Sequence, residues 1–131
     1  MRIAQVAPPW LAVPPQGYGG IEWVVALLAD GLAERGHDVT LFATGDSRSK
    51  AKLDFVFPAA PGPKLINDPV FDTTHTLHAL RAPDQFDVFH VHSPFSALAG
   101  PRGRPSWKGP GFGTSLILTE FTTTPFRAGR I

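Results

Sequence analysis

Arg2-Ile3-Ala4-Gln5-Val6-Ala7 is a short apolar run stopped by Pro8-Pro9, and about ten residues further on the chain reads Gly17-Tyr18-Gly19-Gly20-Ile21-Glu22. The run predicts a buried first strand, because consecutive prolines cannot continue a ladder of backbone hydrogen bonds. From Ile21 the apolar residues Ile21, Val24, Val25, Leu28 and Leu32 recur at helical spacing, and Gly36 follows Arg35 as a stop. Residues 21 to 35 are therefore predicted to form an amphipathic helix. Burial of that stripe, at about 1.5–3 kcal/mol per large side chain, should hold the helix to a sheet, and Leu28→Asp is predicted to unfold the unit. A helix starting directly after glycines offers unpaired N–H groups and the positive end of its dipole. Phosphates, carboxylates or sugar hydroxyls can approach there.

The pattern continues beyond Gly36. Asp38-Val39-Thr40-Leu41-Phe42-Ala43 reads as a second strand and Thr44-Gly45-Asp46-Ser47 as the loop at its carboxyl end, completing a right-handed βαβ unit. Leu53 to Phe57 predicts a third strand, and Asn67-Asp68-Pro69 a cap and first-turn proline opening a helix that carries Phe71, Leu77 and Leu80. Asp87-Val88-Phe89-His90-Val91 is a compact buried strand emptying into His92-Ser93-Pro94, at the edge where open α/β sheets place their ligands. The fold class is α/β, an open parallel sheet with flanking helices. Residues 100–113 hold five glycines, three prolines and three cations without an apolar period, and read as a linker. Leu116-Ile117-Leu118 with Phe121 predicts one more strand, on an edge. The expected division is a folded unit over 1–99 and a poorly ordered, basic Gly/Pro-rich tail over 100–131.

The chain has 131 residues, 43% hydrophobic and 18% charged, the balance of one soluble globular domain. No apolar run approaches the roughly 20 residues that cross a bilayer, and the start of the chain lacks a signal-peptide pattern. The absence of cysteine excludes disulfides and thiolate metal sites and agrees with a cytoplasmic location. Before Gly100 there are seven Lys/Arg against ten Asp/Glu, and from Gly100 onward five against one. The basic tail could meet an anionic membrane peripherally, but its scattered cations do not make a nucleic-acid surface.

The glycine turn is not G-x-G-x-x-G and lies too far from the first strand for a dinucleotide fold, which disfavours a nicotinamide site; Asp46, the position that would hold a ribose, reads as a turn residue. His90 and His92 project to one side of their strand, and the reading assigns packing to His90 and ligand contact to His92. His75 and His78, three apart on the second helix, are placed on a solvated face. Trp23 is expected to pack in the core. No Asp-x-Asp pair, phosphate loop, nucleophile elbow or zinc-binding helix motif occurs, so neither a metal nor a cofactor is expected.

Met1-Arg2-Ile3-Ala4-Gln5-Val6-Ala7-Pro8-Pro9, the Gly17–Glu22 turn, the run from Leu32 to Ser47 and His90-Val91-His92-Ser93-Pro94 together resemble bacterial glycosyltransferases of family four. The resemblance, which we trace from Met1 to about Ala99, implies the N-terminal half of a GT-B fold, a Rossmann-like domain on the acceptor side of a cleft. Its companion domain would hold most of a nucleotide-sugar donor. On this resemblance Gly19, Gly20 and the N–H of Ile21 approach the donor's diphosphate and sugar, and His92 and Ser93 line the acceptor side. Metal-free, retaining transfer to a small-molecule, glycan or lipid acceptor is implied, with the catalytic groups in a second half that this chain lacks, so that the chain alone is expected to be inactive. The family's cleft histidine after the next strand has no clear match here. Loss of the resemblance near residue 100 suggests a change of reading frame there. The alternative is a stand-alone ligand-binding or interaction module with a basic tail; a nicotinamide enzyme built on Gly17–Gly20 and Asp46 is a distant third.

Overall fold

The computed structural model describes residues 1–92 and 117–118. Five parallel strands, β1 (Arg2–Val6), β2 (Asp38–Phe42), β3 (Lys52–Asp54), β4 (Val88–Val91) and β5 (Ile117–Leu118), form one sheet in the order β3-β2-β1-β4-β5. Among the described residues two α-helices, α1 (Gly20–Glu34) and α2 (Pro69–Ala79), flank it. β1 is central: Ala4 is paired with Thr40 on one side and Phe89 on the other.

Because side chains alternate along a strand, β1 feeds two cores. Ile3 and Ala7 join Val39, Leu41 and Ala43 against Val25, Ala26 and Ala29 of α1. Ala4 and Val6 join Phe42, Phe89 and Val91 against Ala79 at the end of α2 and Phe86. The result is a helix–sheet–helix sandwich, as the sequence predicts. At the amino-terminal edge the Arg2 guanidinium donates to both carboxylate oxygens of Asp87, at 2.7 and 3.4 Å, tying β1 to β4.

Several details depart from the sequence reading. The buried stripe of α1 is Val25, Ala26 and Ala29, flanked by Ile21, Leu32 and Ala33, whereas Val24 is 56% exposed and Leu28 only half-buried. Alanines, which a large-residue pattern overlooks, let the helix axis sit close to the sheet. β3 is shorter than predicted: after Asp54 the chain leaves the ladder, and the Gly45 N–H bonds Phe57 O instead. A methyl group on Gly45 would lie 2.6 Å from Pro58 O, so this crossing requires glycine. Asp68 caps α2 as expected, accepting from the Val70 and Phe71 N–H groups, with Pro69 in the first turn. His75 is fully buried beneath α2, and His78 contacts Asp54 at 2.8 Å, so neither lies on a solvated face.

The predicted last strand pairs with β4 through Ile117 and Leu118 at the sheet edge. The expectation of a poorly ordered tail over 100–131 otherwise lies outside the described residues, as does Ser93.

Candidate functional site

The long connection from β1 to α1 passes over the carboxyl end of the sheet and delivers Gly19 and Gly20 to the start of α1. The first helical bond, Trp23 N–H to Gly19 O, is 3.0 Å, and no side chain caps the preceding N–H groups. Trp23 is not core: it is 46% exposed, and its indole N–H reaches Gly17 O at 3.4 Å across the glycine turn. Beside the turn opens a cleft of about 540 Å³, lined by Trp10, Tyr18, Ile66 and Asn67 together with Gly19, Gly20 and Ile21.

Glu22 is the residue that the sequence reading missed. It lies in the first turn of α1, lines the cleft and is 7% exposed. Burial pushes its pKa above the usual carboxylate value, against the opposing pull of its own backbone N–H. The signal available in the sequence was a carboxylate set two residues after paired glycines, in a helical turn whose other early residues are apolar.

Gly19 is extended, at φ 176°, so any residue could adopt its backbone. Its constraint is space: a methyl group would lie 2.6 Å from Pro15 Cγ and 3.0 Å from Glu22 Oε2, whereas one on Gly20 meets nothing within 4 Å. Gly19→Ala is therefore expected to shift the turn and cost about 1–3 kcal/mol, as overpacking against a rigid ring does. Gly20→Ala should cost nothing. Urea unfolding of the two variants checks the contrast, and equal midpoints would refute it.

The remaining sequence candidates fall elsewhere. His90 and His92 do project together, with ring centroids 4.0 Å apart, but on the α1 side of the sheet. His92 is 3% exposed, with Nε2 2.9 Å from Gln5 Oε1, and is not among the residues lining the cleft. Burial, reinforced by His90, lowers its pKa to about 3. Asp46 behaves as a turn residue, accepting from the Thr44 hydroxyl at 2.6 Å and the Ala60 N–H at 3.1 Å.

The family model described as Glycosyltransferase Family 4 matches residues 18–124. The chain belongs to glycosyltransferase family 4. The match continues past Ala99 to residue 124, beyond the point at which the sequence reading ends the likeness. Among solved structures, the chain is similar to AviGT4, a glycosyltransferase involved in avilamycin A biosynthesis. Identity is 36% and the TM-score 0.54, over 89% of this chain and 31% of AviGT4. No curated protein matches the chain. The family 4 chain thus spans about a third of that relative's length, in the α/β architecture expected of a Rossmann-like GT-B fragment. Among the described residues no helix is long and apolar enough to cross a membrane.

Proposed function

We propose that this chain supplies the acceptor side of a retaining, metal-free glycosyltransferase and the glycine turn that meets the diphosphate of a nucleotide-sugar donor. The observation that supports it is the start of α1: Gly19, Gly20 and Ile21, without a side-chain cap, line an open cleft at the carboxyl end of a parallel sheet. Helix N–H groups and the dipole favour negative charge there. The remaining donor contacts belong, in this reading, to the part of the relative's length that the chain does not span, so the chain binds weakly and transfers nothing by itself. The reaction would take place in the cytoplasm.

Amide NMR of the 131-residue chain with millimolar UDP or GDP tests this. Shifts at Gly19, Gly20 and Ile21, with no sugar transfer from a radiolabelled donor, are expected. Transfer by the isolated chain would refute inactivity, and undisturbed amides in the glycine turn would refute the donor contact.

A further inference from the structure

A second, smaller pocket opens at the carboxyl end of the sheet and shares no lining residue with the cleft. It measures about 320 Å³ and lies between Ala12, Pro14, Pro15 and Gln16 of the β1–α1 connection and Asp46 and Arg48 of the loop after β2. The pocket and the cleft are neighbours, because the Pro15 ring is what a methyl group on Gly19 would strike.

The two loops are locked together. The Arg48 N–H donates to Val13 O at 2.7 Å, the Val13 N–H to Ser47 Oγ at 2.9 Å and the Ser47 N–H to Thr44 O at 3.0 Å, and both Val13 and Ser47 are buried. The backbone that carries Arg48 is therefore fixed, while its side chain is exposed. Arg2, Lys50, Lys52 and Arg81 each pair with a carboxylate of the protein. Arg48 has no such partner among the described residues, although the Asp46 carboxylate lines the same pocket. Asp46 is committed elsewhere: its Oδ1 accepts from the Thr44 hydroxyl at 2.6 Å and its Oδ2 from the Ala60 N–H at 3.1 Å. The pocket thus presents an unpaired guanidinium fork on a rigid base, beside the Gln16 amide and two proline rings. A flat carboxylate matches that fork with two parallel hydrogen bonds.

We propose that this pocket is a carboxylate-binding site and that Arg48 makes the acceptor of the glycosyltransferase an organic acid. Two N–H groups of the guanidinium meet the two carboxylate oxygens, Gln16 supplies a further donor, and Ala12, Pro14 and Pro15 take the apolar part of the ligand. Asp46 sets an upper limit on charge. A carboxylate brings one negative charge opposite Arg48, whereas a dianionic phosphoryl group would meet the Asp46 carboxylate with twice the repulsion. This deepens the glycosyltransferase reading, on which it rests for the acid's role as acceptor, by naming a substrate class.

The test is NMR titration of the 131-residue chain with D-glucuronate, with D-glucose and glucose 6-phosphate as comparisons. Glucuronate should shift the Arg48 guanidinium and Gln16 side-chain amide signals and bind about tenfold or more tightly than either comparison. Arg48→Gln, which keeps the N–H bond to Val13 O, should weaken glucuronate about tenfold. Asp46→Asn can retain both loop bonds, its amide oxygen accepting from Ala60 and its NH2 donating to the Thr44 hydroxyl, and should bring glucose 6-phosphate level with glucuronate. Saturating UDP should leave glucuronate affinity within about twofold, since the two sites share no residue. Failure of glucuronate to bind, affinity no better than that of glucose, unchanged affinity in Arg48→Gln, or competition by UDP would each overturn the proposal. UDP-glucuronate compared with UDP-glucose distinguishes the source of the acid: a preference for UDP-glucuronate that Arg48→Gln abolishes would assign the carboxylate to the donor and overturn the acceptor assignment, and the absence of such a preference supports it. The UDP-induced shifts at Gly19–Ile21 report separately on the glycine turn, so either reading can fail without the other.

Discussion

Val25→Asp should unfold the chain at pH 7, while Val24→Asp, one residue earlier, should leave it folded. Val25 is fully buried among Ile3, Val39, Leu41 and the alanines of α1, and no cation belongs to that cluster. A carboxylate placed there loses the apolar contact and either its hydration or its charge. A loss of about 5 kcal/mol or more is expected, comparable with the whole stability of a small domain. Val24 is exposed, and its substitution should stay within about 0.5 kcal/mol. Leu28→Asp, the substitution that the sequence alone singles out, should fall between them because Leu28 is half-buried. Far-ultraviolet circular dichroism and urea titration separate the three. A folded Val25→Asp would mean that α1 is not seated as described.

The second large effect is a loss of stability in mild acid. His75 lies beneath α2, fully buried, and burial lowers its pKa from 6.5 to about 4, with His78 adding to the effect and Asp54 and the backbone of Ala7 and Phe42 opposing it. Burial takes His92 to about 3. For a histidine whose folded pKa is depressed, the unfolded chain takes up the proton first. Stability is therefore complete above about pH 6.5 and declines as pH falls towards the folded pKa, by about 1.4 kcal/mol per unit and per histidine. Glu22 acts in the opposite sense, because its raised pKa penalises the folded state at higher pH and relieves it on acidification. Asp87, held near 2 by the Arg2 hydrogen bonds, gives stability that is present above the ordinary carboxylate pKa and is lost only as pH falls below it, outside this window. Between pH 6.5 and 5 the histidines should dominate. Urea midpoints at pH 7.5, 6 and 5 should fall steadily, and less steeply in His75→Gln; a flat profile would contradict the burial of both rings.

What the sequence revealed divides along physical lines. β1, β2 and β4 were legible because each is a compact apolar run bounded by proline, glycine or aspartate, and the cap at Asp68 because Asn-Asp-Pro has few other uses. The face of α1 was half legible: the period was right, but Val24 was counted inside and Ala26 and Ala29 were not, since a pattern weighted by size cannot see alanines chosen for close approach. His75 was misread because two histidines at helical spacing look solvated unless the sheet beneath them is known. The glycine turn of the candidate site was readable from local sequence. That Glu22 and Asn67 line one cleft is not legible in the sequence, because 45 residues separate them and only the connection from β3 to α2 brings Asn67 there.

The central position of β1 carries a consequence for the chain as it is made. One edge of β1 is satisfied as soon as β2 emerges, but the other waits for β4, about 45 residues later, which at roughly 5–20 residues per second is an interval of a few seconds. Throughout that time the nascent βαβ unit presents Ala4 and Val6 and an open row of backbone donors and acceptors to its surroundings. Closure of this edge comes when Asp87 reaches Arg2, so the ion pair at the amino-terminal edge also marks the moment at which β1 is shielded and the open edge passes outward to β4.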